Sequence, residues 1–150
     1  MKDMIVMSKG DVLKSNCDII VHQVNCKGVM GAGLAKQIRE EYPIVYEQYK
    51  EFCKKDDLLG KVQFVPIAYK KYVCNLFGQL SYGRNSLQTD YEAFEKAICE
   101  IKDIASEHDF SIAIPYGIGC GLAGGDWNVI YGILCKQFEY SKVYCYIYSL

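Results

Sequence analysis

Residues 18 to 35 read Asp18-Ile-Ile-Val-His-Gln-Val-Asn-Cys-Lys-Gly-Val-Met-Gly-Ala-Gly-Leu-Ala35. The run from Asp18 to Val24 has strand length and is rich in β-branched apolar residues, the pattern of a parallel strand covered on both faces. Gly28, Gly31 and Gly33 then mark a loop, and from Gly33 onward Leu34, Ile38 and Tyr42 recur every four residues, the stripe of an amphipathic helix. A glycine loop therefore leaves the carboxyl end of a buried strand and opens a helix. Pro43 ends that helix or hands over to a second one carrying Tyr46, Tyr49 and Cys53.

The same arrangement returns downstream as Phe110-Ser-Ile-Ala-Ile-Pro-Tyr-Gly-Ile-Gly-Cys-Gly-Leu-Ala-Gly-Gly-Asp-Trp127. Here Phe110 to Ile114 is the strand, the glycines form the loop, and Asp126 stands at the N-cap of a helix with Trp127, Ile130, Leu134 and Phe138 on its apolar face. Between the two units lie two predicted short strands, Val62 to Ala68 and Tyr72 to Phe77, with a turn at Lys70-Lys71. A helix follows, capped by Thr89 or Asp90, in which Tyr91, Phe94, Ile98, Ile101 and Ala105 fall at spacings of three and four. A strand from Lys142 to Tyr148 closes the chain. Strands alternating with helices predict an α/β fold in which helices sandwich a mixed, largely parallel sheet, with ligands at the carboxyl ends of the strands.

The 150 residues suit a single domain spanning 1–150, and 51% hydrophobic side chains are enough for an autonomous core. With 17 basic and 18 acidic side chains, the net charge of −1 gives no general attraction to nucleic acid. The longest apolar stretches, such as Ile19 to Val21, fall far short of a membrane span, and residues 1 to 10 lack the apolar centre of a secretory signal. A cytoplasmic monomer is expected. Eight scattered cysteines contain no C-x-x-C pair, so they read as reduced interior residues and no metal site is expected.

Two strand-to-helix loops at equivalent positions present backbone N–H groups beside helix N-termini, a combination that holds phosphates without cationic side chains. Gly119-Cys-Gly-Leu-Ala-Gly124 matches G-x-G-x-x-G, but a dinucleotide fold needs an acid some twenty residues on, after the next strand, whereas Glu139 precedes it. There is also no G-K-[ST] step, so a nucleoside-triphosphate P-loop is not supported.

With Lys9-Gly-Asp11, His22 to Ala35 and Ile118-Gly-Cys-Gly-Leu-Ala-Gly-Gly-Asp-Trp127 in hand, the chain resembles a macrodomain over essentially its whole length. It is most similar to the terminal ADP-ribose protein glycohydrolase branch, which includes antitoxin macrodomains that reverse DNA ADP-ribosylation. The resemblance implies a three-layer α/β/α fold, no cofactor, and a cleft for ADP-ribose or an ADP-ribosylated macromolecule, ADP-ribosylated DNA included. It assigns Asp11 to the adenine amino group with Val12 beside it, and Asn25 to the distal ribose. Gly31, Ala32 and Gly33 would approach that ribose and the diphosphate. Ile118, Gly119, Cys120, Gly121 and Leu122 would wrap the phosphates. Read on their own chemistry, Asp11 also suits a turn or cap and Asn25 an Asx turn.

Two features of the branch have no counterpart. Its lysine is replaced by Gly78 or Gln79, and its acid after G-C-G-L by Ala123. Asp126 is the nearest carboxylate able to activate water, and capping is its other role. The expected activity is hydrolysis of ADP-ribosyl linkages with Asn25 and Asp126 as catalytic candidates. The alternatives are a non-catalytic ADP-ribose reader or an ADP-ribose 1″-phosphate phosphatase. His22 reads as a hydrogen-bonded interior residue, Cys120 as small and apolar rather than nucleophilic, and Tyr146 and Tyr148 as weaker candidates for an adenine rim.

Overall fold

A computed structural model describes residues 4–83 and 86–150; residues 1–3, part of the stretch read for a leader, lie outside it. Strands β1 (Ile5–Lys9), β2 (Ile19–Asn25), β3 (Val62–Ala68), β4 (Lys71–Gln79), β5 (Ile112–Pro115) and β6 (Cys145–Ser149) form one sheet in the order β1-β6-β5-β2-β4-β3. Among the paired strands of the described residues, β3 and β4 run antiparallel and the other pairs are parallel. Helices α1 (Gly33–Glu41) and α2 (Pro43–Phe52) cover one face, and α3 (Tyr91–His108) and α4 (Trp127–Phe138) the other. The expected three-layer α/β/α arrangement is therefore present.

Alternation along β2 divides the core. Ile19 and Val21 pack toward α3 and α4 with Phe94, Ile98, Leu134 and Phe138, while Ile20 and Val24 pack toward α1 and α2 with Ile38, Val45, Tyr49 and Phe77. Ile19, Ile20 and Val21 are fully buried, as the sequence pattern requires of a central parallel strand. Pro43 occupies the first turn of α2, where its missing N–H costs nothing, so it divides two helices rather than ending one.

Several expected boundaries move. β1, which the sequence pattern does not predict, is a five-residue edge strand whose partner, β6, lies at the other end of the chain. β6 begins at Cys145 rather than Lys142. The cap of α3 is Asp90, whose carboxylate accepts from Ala93 N at 2.9 Å. Thr89 instead turns its hydroxyl toward Gly119 O, at 2.6 Å. All eight cysteines are free, but only Cys17, Cys74 and Cys145 are buried, and Cys135 is exposed.

Candidate functional site

β2 and β5 pair only at Ile19↔Ile112 and Ile20↔Ala113. Beyond that register their carboxyl ends are unpaired with each other, and connections run to opposite sides of the sheet, from β2 toward β4 and β3, and from β5 toward β6 and β1. This is the switch point at which open α/β sheets bind ligands. A cavity of about 570 Å³ opens there. Its walls include Gly31, Ala32 and Gly33 from the first loop and Ile118, Gly119, Gly121 and Leu122 from the second, so both glycine loops face one cleft.

The loops supply donors in different ways. At α1 the N-cap is Ala32, which has no side-chain acceptor, so the first-turn N–H groups have neither a helical partner nor a cap. That terminus and its dipole face the cleft through Gly33, Leu34 and Ala35. At α4, by contrast, the Asp126 carboxylate accepts from Asn128 N at 2.9 Å. The second helix terminus is thus already satisfied, and the second loop contributes through its own peptides. Its turns use the N–H groups of Ile118, Cys120, Gly124 and Gly125, while those of Gly119, Gly121 and Leu122 donate to no acceptor among the described residues.

Asn25 organises the first loop. Its Oδ1 accepts from Lys27 N at 2.9 Å, its Nδ2 donates to Val29 O at 2.8 Å, and the Tyr49 hydroxyl lies 2.6 Å from Asn25 O and 2.8 Å from Oδ1. Burial, and after it the neighbouring Cys53, holds the Tyr49 hydroxyl well above its usual pKa, so it stays a neutral donor. One amide hydrogen of Asn25 has no acceptor in this set and is free for a ligand.

A polar network beneath the second loop was not visible in the sequence. Gln23 Nε2 donates to Gln79 Oε1 and to Thr89 Oγ1, both at 2.9 Å, and Thr89 in turn holds Gly119 O. Gln79 Nε2 donates to Ser81 O at 2.7 Å. Of Gly78 and Gln79, the two residues the sequence offers opposite the branch lysine, one faces the cleft. A Cβ at Gly78 would collide with Gln23 Oε1, whereas Gln79 lines the cleft. Gln79 is the residue presented there.

The other candidates lie off the walls. Asp11 caps the 3-10 turn Val12–Lys14 by accepting from Leu13 N at 2.9 Å, and Val12 is buried. That turn packs on β5 and β6 at the sheet's ligand edge, beside the cleft rather than lining it. Cys120 packs toward the α3/α4 core, and burial followed by the Asp126 charge raises its thiol pKa, the opposite of an activated nucleophile. Asp126 also does not line the cleft. His22 does: it is 2% exposed, with Nε2 2.6 Å from Asn75 Oδ1. Exposed Tyr82 and Tyr116 stand at the rim.

Comparison with known proteins agrees with this geometry. The chain matches the Macro domain family over residues 21–133 and belongs to that family. It is 37% identical over 136 residues to an ADP-ribose 1″-phosphate phosphatase of Saccharomyces cerevisiae, covering 77% of this chain and 76% of the relative. It is 28% identical over 141 residues to the DNA ADP-ribosyl glycohydrolase of Mycobacterium tuberculosis, covering 91% of this chain but only 39% of that protein's length. Among solved structures, the macrodomain of Mycobacterium tuberculosis DarG superposes with a TM-score of 0.85 at 25% identity, covering 99% of each chain.

Proposed function

We propose that the protein binds ADP-ribose along this cleft and hydrolyses the bond joining its distal ribose to an acceptor. The observation that carries the reading is the convergence of two sets of unpaired backbone donors, the α1 terminus and the second loop, on a single cavity at the strand switch point. Such donors suit a diphosphate in a protein of near-neutral charge. Within the family we place the chain near the terminal ADP-ribose protein glycohydrolase branch. Support comes from Met30-Gly-Ala-Gly-Leu34 and Ile118-Gly-Cys-Gly-Leu122, and from the names of the glycohydrolase relatives. Binding energy at the phosphates would position the distal ribose for attack by water, with Asn25 holding it through the free amide hydrogen. Asp126, engaged in capping, is assigned to helix stability.

A second reading, a non-catalytic reader of ADP-ribose, is favoured by one observation: none of the described residues lining the cleft is Asp, Glu, Lys or Arg. Incubation with glutamate-linked, serine-linked and thymidine-linked ADP-ribose conjugates and with ADP-ribose 1″-phosphate separates the readings. Release of ADP-ribose from a conjugate supports the hydrolase. Binding of all of them without release makes the protein a reader, and phosphate release from the last compound alone makes it a phosphatase. A titration with ADP-ribose that gives neither heat nor thermal shift removes every one of these.

A further inference from the structure

Half of the residues from Tyr116 to Gly125 are glycine, which fixes little of its own conformation. Gly117, Gly119 and Gly124 take φ of +78°, +75° and +77°. The direction each peptide faces is therefore set by whatever grips the loop from outside. That direction decides anion binding, because a planar trans peptide points its carbonyl and its N–H opposite ways, and only the N–H attracts a phosphate.

The grip comes from Gln88 and Thr89. Gln88 N and Thr89 N both donate to Ala123 O, at 2.8 and 3.2 Å, and the Thr89 hydroxyl donates to Gly119 O at 2.6 Å. A carbonyl oxygen only accepts, so the hydroxyl proton lies on that bond, and Gln23 Nε2 meets the hydroxyl's lone pair at 2.9 Å. Gly125 N also donates to Gly119 O, at 2.9 Å. With Gly119 O turned to Thr89, the N–H across the same peptide, that of Cys120, closes on Gly117 O. With Ala123 O held, Gly124 N closes on Gly121 O, and the Leu122 N–H across that peptide is left with no acceptor among the described residues. The donors open to a ligand are thus what remains once two carbonyls are pinned.

Thr89 is itself firmly mounted. It bridges to Gln79 at the end of β4, and the next residue, Asp90, donates its N–H to Gly78 O at 2.8 Å. Because Asp90 caps α3, the Thr89 hydroxyl is spared for the loop. Thr89 is buried and does not line the cleft. We propose that Thr89 is a positioning residue for the anion loop: its hydroxyl holds the Gly119 carbonyl and so keeps the loop's free N–H groups presented to a diphosphate. This rests on the ADP-ribose reading and adds to it the side chain through which the fold acts on phosphates it never touches.

The test uses the full chain labelled with 15N, ADP-ribose as the probe, and calorimetry beside 1H–15N NMR. In wild type, saturation should move the amide protons of Gly119, Gly121 and Leu122 downfield, and further than those of Gly124 and Gly125, which are bonded within the loop. Thr89→Val keeps the branched shape and removes the donor. It should bind ADP-ribose about tenfold more weakly, the scale of one lost hydrogen bond, with those shifts reduced at saturation and the shifts of Gly33 and Leu34 in the first loop retained. Thr89→Ser should restore both affinity and shifts. A threonine that served stability alone would lower the melting temperature and leave the saturated spectrum unchanged. That result, wild-type affinity in Thr89→Val, or no rescue by serine overturns the proposal alone. If Thr89→Val does not fold, wild type decides: a slowly exchanging Thr89 hydroxyl proton together with the downfield shifts supports the proposal. A hydroxyl exchanging as fast as a surface threonine's, or loop amides unmoved while calorimetry shows saturation, overturns it. Absence of heat with ADP-ribose overturns it together with the reading beneath it.

Discussion

Protonation of His22 places a charge in a buried site against the Asn75 carbonyl, and burial drives its pKa from the ordinary 6.5 down to about 4. The unfolded chain therefore takes up a proton between these values that the folded chain refuses. The penalty is absent above pH 6.5, grows as pH falls, and reaches its limit near pH 4, where it amounts to about 3 kcal/mol. Urea unfolding at a series of pH values should show wild type losing that much more stability across the window than His22→Gln, in which nothing titrates. Equal slopes would mean that the ring is solvated. At this scale the sequence was partly readable. Asp126 and Asp90 were legible because a carboxylate immediately before an apolar stripe has one dominant local use, to cap the helix. The partnership of Gln23 with Gln79 and Thr89 was not, because it joins residues 56 and 66 positions apart and exists only once β2 and β4 are neighbours.

Among the elements, the two helices that follow the glycine loops differ in a way that mutation can separate. α1 begins with Gly33 at φ +58°, with nothing near the position of a Cβ, and with an uncapped first turn at the cleft. Gly33→Glu should cost about 1–2 kcal/mol for a side chain in the left-handed region and bring a carboxylate to the anion site. Calorimetry should then show loss of ADP-ribose binding in a folded protein. α4 behaves oppositely. Asp126→Ala removes the acceptor for Asn128 N and should cost about 1 kcal/mol of stability, while ADP-ribose affinity, set elsewhere, stays at the wild-type value. A thermal melt paired with calorimetry checks both, and a collapse of turnover in Asp126→Ala with intact binding would return that carboxylate to the chemistry. The strand-to-helix units were visible at this scale because their periodicity is local. β1 was not, since five residues at a sheet edge carry little pattern and owe their conformation to pairing with β6, some 140 positions away in register.

For the molecule as a whole, the consequence of holding phosphates with peptides is electrostatic. Cationic side chains on a surface attract an anion through solvent, and that attraction fades as salt shortens the screening length from about 10 Å at 0.1 M to about 3 Å at 1 M. Peptide N–H groups and a helix terminus act at contact distance, inside a cleft whose described lining carries no Lys or Arg and in a chain of net charge −1. Screening has little to act on there. The affinity for ADP-ribose should therefore change by less than about threefold between about 0.05 M and about 0.5 M salt. Over the same range a phosphate site built from several lysines or arginines would lose far more. Because ligand binds only the folded chain, the thermal midpoint should also rise with ADP-ribose concentration, with stabilisation near 2.7 kcal/mol at about a hundredfold excess over Kd, and that rise should be nearly the same in low and high salt. A steep decline in affinity with salt would show that cationic side chains share the diphosphate, and peptide donors alone would then no longer account for the site.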